Sequence, residues 1–135
     1  MPTQKIVISS SYQDTRIADD ALRSALVAVQ IPEEIISSCE LALHELLINL
    51  VDHAYGGDQT QSITVWLGIK SDTLEIQTFD TGKSANLDLD AISMPDPDGL
   101  AEGGYGMAII QSLVDTLEYQ RTGDQNIWTL RKKVN

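Results

Sequence analysis

Three groups of residues have the types and spacing that chemistry can use. Glu45, Asn49 and His53 recur every four positions, so a helix through them carries a polar row, with Asp52 beside it and Leu41 and Ile48 on its flank. A carboxylate four residues before an asparagine pairs a potential base with a neutral oxygen ligand for a hard cation such as Mg²⁺. The same spacing also describes a solvated helix face. Asp80, Thr81 and Gly82 follow a strand pattern that reaches Phe79, and an Asp beside a Gly there is either a plain turn or a ligand site. Gly103, Gly104, Tyr105, Gly106 and Met107 precede an apolar helical run. Glycines permit close backbone approach and a helix start offers unpaired N–H groups to phosphate, although such a cluster can also be a hinge.

The elements that must hold these groups are legible as periodicities. Lys5, Val7 and Ser9 alternate with Ile6, Ile8 and Ser10 as a strand, and residues 14–29 place Ile17, Ala21, Leu22, Ala25, Leu26 and Val29 at helical spacing. Pro32 suits the first turn of a second helix, whose start Glu33 and Glu34 complement electrostatically. That helix is expected to run to Tyr55, where Gly56 and Gly57 stop it, with Ile36, Cys39, Leu43, Leu46, Leu47, Leu50 and Ala54 as its core stripe. Alternation at Ile63, Val65, Leu67 and Ile69, a Ser71–Asp72 turn, and alternation again at Leu74, Ile76 and Thr78 predict a hairpin. Residues 84–102 hold two prolines, five acidic residues and no Lys or Arg, a composition read as a lid. Met107, Ile109, Ile110, Leu113 and Val114 mark a third helix, and two strands around residues 117–121 and 126–134 flank a Gly123–Asp124 turn.

Composition narrows the functions. A chain of 135 residues, 42% hydrophobic, suits one domain spanning residues 1–135. The longest apolar stretches are broken by Gln30, His44, Glu45 and Asn49, short of the ~20 apolar residues that span a bilayer. No secretory signal pattern opens the chain, so a cytoplasmic, non-membrane protein is expected. Cys39, the single cysteine, falls within the core stripe and reads as a structural thiol. Nine Lys and Arg against twenty Asp and Glu give a formal charge of −11, which disfavours direct nucleic-acid binding. Any nucleotide site must therefore supply a metal ion and oriented backbone N–H groups locally.

The run Glu45, Leu46, Leu47, Ile48, Asn49, Leu50, Val51, Asp52, His53, Ala54, Tyr55 resembles the N-box helix of the histidine-kinase-like (GHKL, or Bergerat) ATPases, particularly the bacterial anti-sigma serine/threonine kinases. The resemblance implies that Asn49 ligates Mg²⁺ and that Glu45 is the base that activates the incoming hydroxyl. It also implies that Asp80 accepts a hydrogen bond from the adenine amino group of ATP, with Gly82 in the same glycine box, although Ser84 replaces that box's second glycine. Gly104, Tyr105, Gly106 and Met107 resemble the second glycine box, which binds phosphate through backbone N–H groups. Lys83 is the nearest candidate cation, and Asn126 stands in a region where relatives often place Thr near adenine.

These motifs occur in the family's order, and the likeness extends to Pro95, Asp96 and Pro97 and to residues 112–115. The implied fold is a two-layer α/β sandwich of about three helices over a mixed, largely antiparallel sheet. The implied function is an ATP-dependent protein kinase and anti-sigma factor in partner switching. Its partner would be an anti-anti-sigma (STAS-domain) protein, with a sigma factor as a further partner and a homodimer as the assembly suggested by relatives. The alternative is a non-catalytic adaptor with the same pocket. A sensor histidine-kinase module is disfavoured by the missing dimerisation hairpin, and His44 and His53 read as surface or structural residues.

Overall fold

The computed structural model describes residues 3–85 and 104–135. In chain order the elements are β1 (Gln4–Ser9), α1 (Tyr12–Ala28), α2 (Glu33–Asn49), β2 (Ser62–Lys70), β3 (Thr73–Asp80), α3 (Gly104–Leu113), β4 (Thr116–Thr122) and β5 (Gln125–Lys133). The strands form one sheet in the order β1-β2-β3-β5-β4. Every neighbouring pair is antiparallel, so the sheet expected as mixed and largely antiparallel is antiparallel throughout its described strands. Each expected strand and helix is present. The stretch read as a lid lies outside the described residues from position 86 onward, as do Gly103 and the Pro95–Pro97 likeness.

Alternation along the strands decides which face meets the helices. Ile63, Val65 and Leu67 of β2, Leu74 and Ile76 of β3, and Trp128 and Leu130 of β5 are buried, and they share one core with Leu22 and Leu26 of α1 and Leu43, Leu46 and Leu47 of α2. The helices thus form one layer and the sheet the other.

Two helices depart from expectation. In α1 the buried residues are Thr15, Ala18, Asp19, Leu22, Ala25 and Leu26, while Ile17 is 53% exposed and Val29 39%. The helix is therefore rotated relative to the stripe read from its largest aliphatics. Its start is set by Ser11, whose side chain accepts the Asp14 N–H and so satisfies a donor left free at the helix end. The second helix stops being α-helical at Asn49 and continues as one π-helical turn, Leu50–Ala54, closed by Tyr55 N–H to Leu50 O at 3.0 Å. Such turns recur at functional sites, and this one sits at the end of the polar row.

Candidate functional site

Asp80 is the last residue of β3 and shares its helix-facing side with Leu74, Ile76 and Thr78. It is only 2% exposed. Its Oδ1 accepts hydrogen bonds from the Gly82 N–H at 2.9 Å and from Asn126 Nδ2 at 2.7 Å, whereas its Oδ2 is buried with no partner. Thr78 Oγ1, two residues earlier on the same side, is likewise buried without a partner. The third such atom among the described residues, Asp19 Oδ1, lies between α1 and α2, where the other oxygen of Asp19 meets His44 Nδ1 at 2.9 Å. His44 is thus a structural partner, as expected. Buried polar atoms normally have hydrogen-bond partners, so two orphans on successive inward positions of one strand fit a site that a ligand's donor completes. Burial pushes the Asp80 carboxyl above its ordinary range, opposed by the hydrogen bonds from Asn126 and Gly82 and by the charge of Arg121.

The end of the polar helix presses against this strand end. A Cβ on Gly82 would stand 2.3 Å from Ala54 O, so only glycine fits there, and the next residue's N–H, that of Lys83, donates to the same carbonyl at 2.7 Å. The Tyr55 hydroxyl donates to Ser62 O at 2.7 Å and accepts the Thr81 N–H at 2.9 Å. The π-helical turn is what carries Ala54 and Tyr55 to these contacts. Lys83 is otherwise exposed. Ser84 needs no glycine, because among the described residues the non-glycine positions with positive φ are Gln30 and Ser71.

Glu45 and Asn49 lie one helical turn apart on α2 and are both half-buried, while Asp52 and His53 are exposed. Glu45 Oε2 is 3.7 Å from the point where a Cβ on Gly106 would sit, which sets the carboxylate against the first turn of α3. Leu41 is 44% exposed and builds no apolar wall beside it. Gly104 and Tyr105 begin α3, so their N–H groups belong to its positive end. Met107 is fully buried in the core, leaving its backbone N–H, not its side chain, for any ligand. Glu45 and Ala54 are nine residues apart, about 13 Å at ~1.5 Å per residue, so this one helix touches the glycine boxes at two separate points.

The described residues contain no group of three or more His, Cys, Asp or Glu able to hold a metal ion. A cation here would take Asn49 together with phosphate and water oxygens, which suits Mg²⁺ because it keeps much of its hydration. Cys39 is buried and its thiol is pushed up to about 11 by that burial, the behaviour of an inert core thiol. The sequence marked Asn126 only by the resemblance and did not single out Tyr119 or Arg121; all three stand around Asp80 and Gly82.

These features define a class: a two-layer α/β ATPase-type domain whose site is assembled from a helix end, a strand end and a helix start. Residues 8–132 match the family model described as the histidine kinase-like ATPase domain, and the chain belongs to that family. Among curated proteins it is similar to the serine-protein kinase RsbW of Oceanobacillus iheyensis, with 32% identity over 63% of this chain and 58% of that protein. It is similar to RsbW of Bacillus subtilis at 29% identity over 63% and 57%. The chain thus spans a little over half the length of these relatives. Among solved structures its fold is similar to that of the RsbU and RsbW domains of Rv1364c from Mycobacterium tuberculosis, at a TM-score of 0.73, 19% identity, and 99% and 33% coverage of the two chains. It is also similar to the SiaB-SiaC complex from Pseudomonas aeruginosa, at a TM-score of 0.67, 17% identity, and 96% and 88% coverage. No described helix is long and apolar enough to cross a membrane.

Proposed function

We propose that this chain is an ATP-dependent protein serine/threonine kinase that acts as an anti-sigma factor in a cytoplasmic partner-switching system and phosphorylates an anti-anti-sigma, STAS-type partner. The observation that supports the nucleotide assignment is the buried Oδ2 of Asp80, an acceptor without a partner that an adenine amino N–H would satisfy. The name of the curated relatives, serine-protein kinase, supports the activity.

Each residue then has a distinct task. Asp80 reads adenine, and Gly82 keeps the backbone close to Ala54 beside it. The first-turn N–H groups of α3, from Gly104 to Met107, receive phosphate oxygens, which is how a strongly acidic chain can hold an anion. Asn49 offers its side-chain oxygen to Mg²⁺, whose role when bound is to neutralise phosphate charge. Glu45 orients the partner's hydroxyl and accepts its proton as the oxygen bonds to the γ-phosphorus and ADP departs. Its position on α2 beside the start of α3 suits that task without requiring it to hold the nucleotide.

The test is affinity capture from the native cell with ATP or ADP, followed by phosphosite mapping of the captured protein and a transfer assay with it. Phosphate on a serine or threonine of a STAS-type protein supports the assignment. Tight nucleotide binding and partner capture without transfer would establish the adaptor instead.

A further inference from the structure

Asn126, the second residue of β5, lies directly opposite Asp80 in the sheet register and is 1% exposed. Its amide uses every hydrogen-bonding position it has. Nδ2 donates to Asp80 Oδ1 at 2.7 Å and Lys83 O at 2.9 Å, with Gly82 O at 3.3 Å as a weaker third acceptor. Oδ1 accepts from the Tyr119 hydroxyl at 2.5 Å and from Arg121 Nη1 at 3.0 Å. Turning the amide over would face its oxygen toward three acceptors and its NH₂ toward the Arg121 guanidinium, so the orientation is fixed by its surroundings.

The partners of Asn126 reach further. Tyr119 also accepts the Ala85 N–H at 2.9 Å, and its ring packs against Trp128 directly across the β4–β5 pair, centroids 4.6 Å apart. Arg121 also donates to Gly82 O at 2.7 Å. Asp80 Oδ1 meanwhile has both lone pairs occupied, by Asn126 and by the Gly82 N–H.

We propose that Asn126 is the positioning residue for adenine recognition: it locks Asp80 so that Oδ2 alone faces the ligand and, with Tyr119 and Arg121, ties that carboxylate to the Gly82–Ala85 backbone. Asn126 touches no substrate in this scheme. It acts by holding the carboxylate in one orientation through Oδ1, so that Oδ2 stays where the adenine amine would meet it. The inference rests on the reading of Asp80 as the adenine acceptor.

The experiment compares binding of ATP and of purine riboside triphosphate, which lacks the 6-amino group, by calorimetry with Mg²⁺. The parent, Asn126→Ala, Asn126→Thr and Tyr119→Phe are each measured alongside a melting curve. The parent should prefer ATP about tenfold or more, the scale of one charge-assisted hydrogen bond. Asn126→Ala should collapse that ratio toward one, Asn126→Thr should restore part of it because its hydroxyl can still donate to Asp80, and Tyr119→Phe should reduce it modestly. A merely structural Asn126 would lower the melting temperature and both affinities while leaving the ratio intact, and that result overturns the proposal. Should Asn126→Ala fail to fold, an unchanged ratio in Tyr119→Phe overturns it equally. If the parent itself binds both nucleotides alike, the adenine assignment of Asp80 falls and takes this inference with it.

Discussion

The last turns of the second helix and the π-helical turn that continues it contrast sharply. Where the π-helical turn ends, Ala54 and Tyr55 hold the backbone of Thr81, Gly82 and Lys83, next to Asp80, a buried carboxylate whose one oxygen is saturated and whose other is without a partner. Earlier on the same helix, Glu45 and Asn49 are half-buried, and Glu45 stands beside the start of α3. The first end is built like a lock, with fixed rotamers, a glycine no other residue can replace and an amide with no freedom. The second retains solvent access, which a group that must meet a partner's hydroxyl and a hydrated cation needs. Under the proposed function, recognition beside the π-helical turn and chemistry at Glu45 and Asn49 fall in different environments, and substitutions at the two places should fail differently.

The largest difference is expected at Glu45. Glu45→Ala should lower phosphoryl transfer to the true partner by ~10²–10⁴-fold, the usual contribution of a general base, while ATP affinity stays within about twofold. Asn49→Ala one turn on should weaken Mg·ATP binding and transfer together, because a metal ligand serves both. Parallel transfer and calorimetric assays check the pair, and equal losses of binding in both variants would erase the division of labour within this end.

Gly82→Ala probes the locked end through sterics. With 2.3 Å to Ala54 O, the added methyl forces the backbone to move, at the ~1–3 kcal/mol typical of overpacking. Both the melting temperature and ATP affinity should fall. A variant with parental stability would show that the strand end and the π-helical turn separate freely.

Asp80→Asn should weaken ATP about tenfold or more, since the two donors at Oδ1 hold the amide oxygen and leave its NH₂ facing the adenine amine. Stability at neutral pH should stay level or rise, because the substitution removes a buried charge from a site shaped for function. The reasoning follows from the raised Asp80 pKa, caused first by burial. A carboxyl whose folded value exceeds its unfolded value, near 3.8, favours the fold below that unfolded value and loses this contribution as pH rises through the folded one. Melting curves of parent and variant between pH 4 and 7 should converge toward acid.

The smallest effect is on the pH profile of ATP binding. Only the ionised Asp80 accepts the adenine amine with full strength, and Arg121 is the charged group that bears on it. Affinity should decline with acidification from a higher pH than an ordinary aspartate would set. A profile flat down to the unfolded value would remove Asp80 from the binding step.

The sequence revealed the locked end's motif but not its mechanism. Asp80 and Gly82 could be named only through the resemblance of their box to the family's, and the strand that leads to them from alternation. What Asn126 does depends on the β3–β5 register, which joins residues 46 positions apart. Tyr119 and Arg121, on β4, enter through the β4–β5 pairing, which sets Arg121 opposite Asn126. The π-helical turn was equally hidden, because the residues from Leu50 to Tyr55 read as a continuing α-helix until Ala54 O meets Gly82 and Lys83. In α1, hydrophobic size misled: Ile17 faces out while Thr15 and Asp19 face in, the latter held by a histidine 25 residues further on. Glu45 and Asn49, by contrast, needed only helical spacing to be placed together.

The adenine end tests the whole account most directly, because it needs no partner protein. Calorimetry of the parent chain with ATP and with GTP, each in the presence of Mg²⁺, should show ATP bound at least about tenfold more tightly, since guanine presents a carbonyl where adenine presents the amine that Asp80 Oδ2 awaits. Equal affinities for the two nucleotides would contradict it.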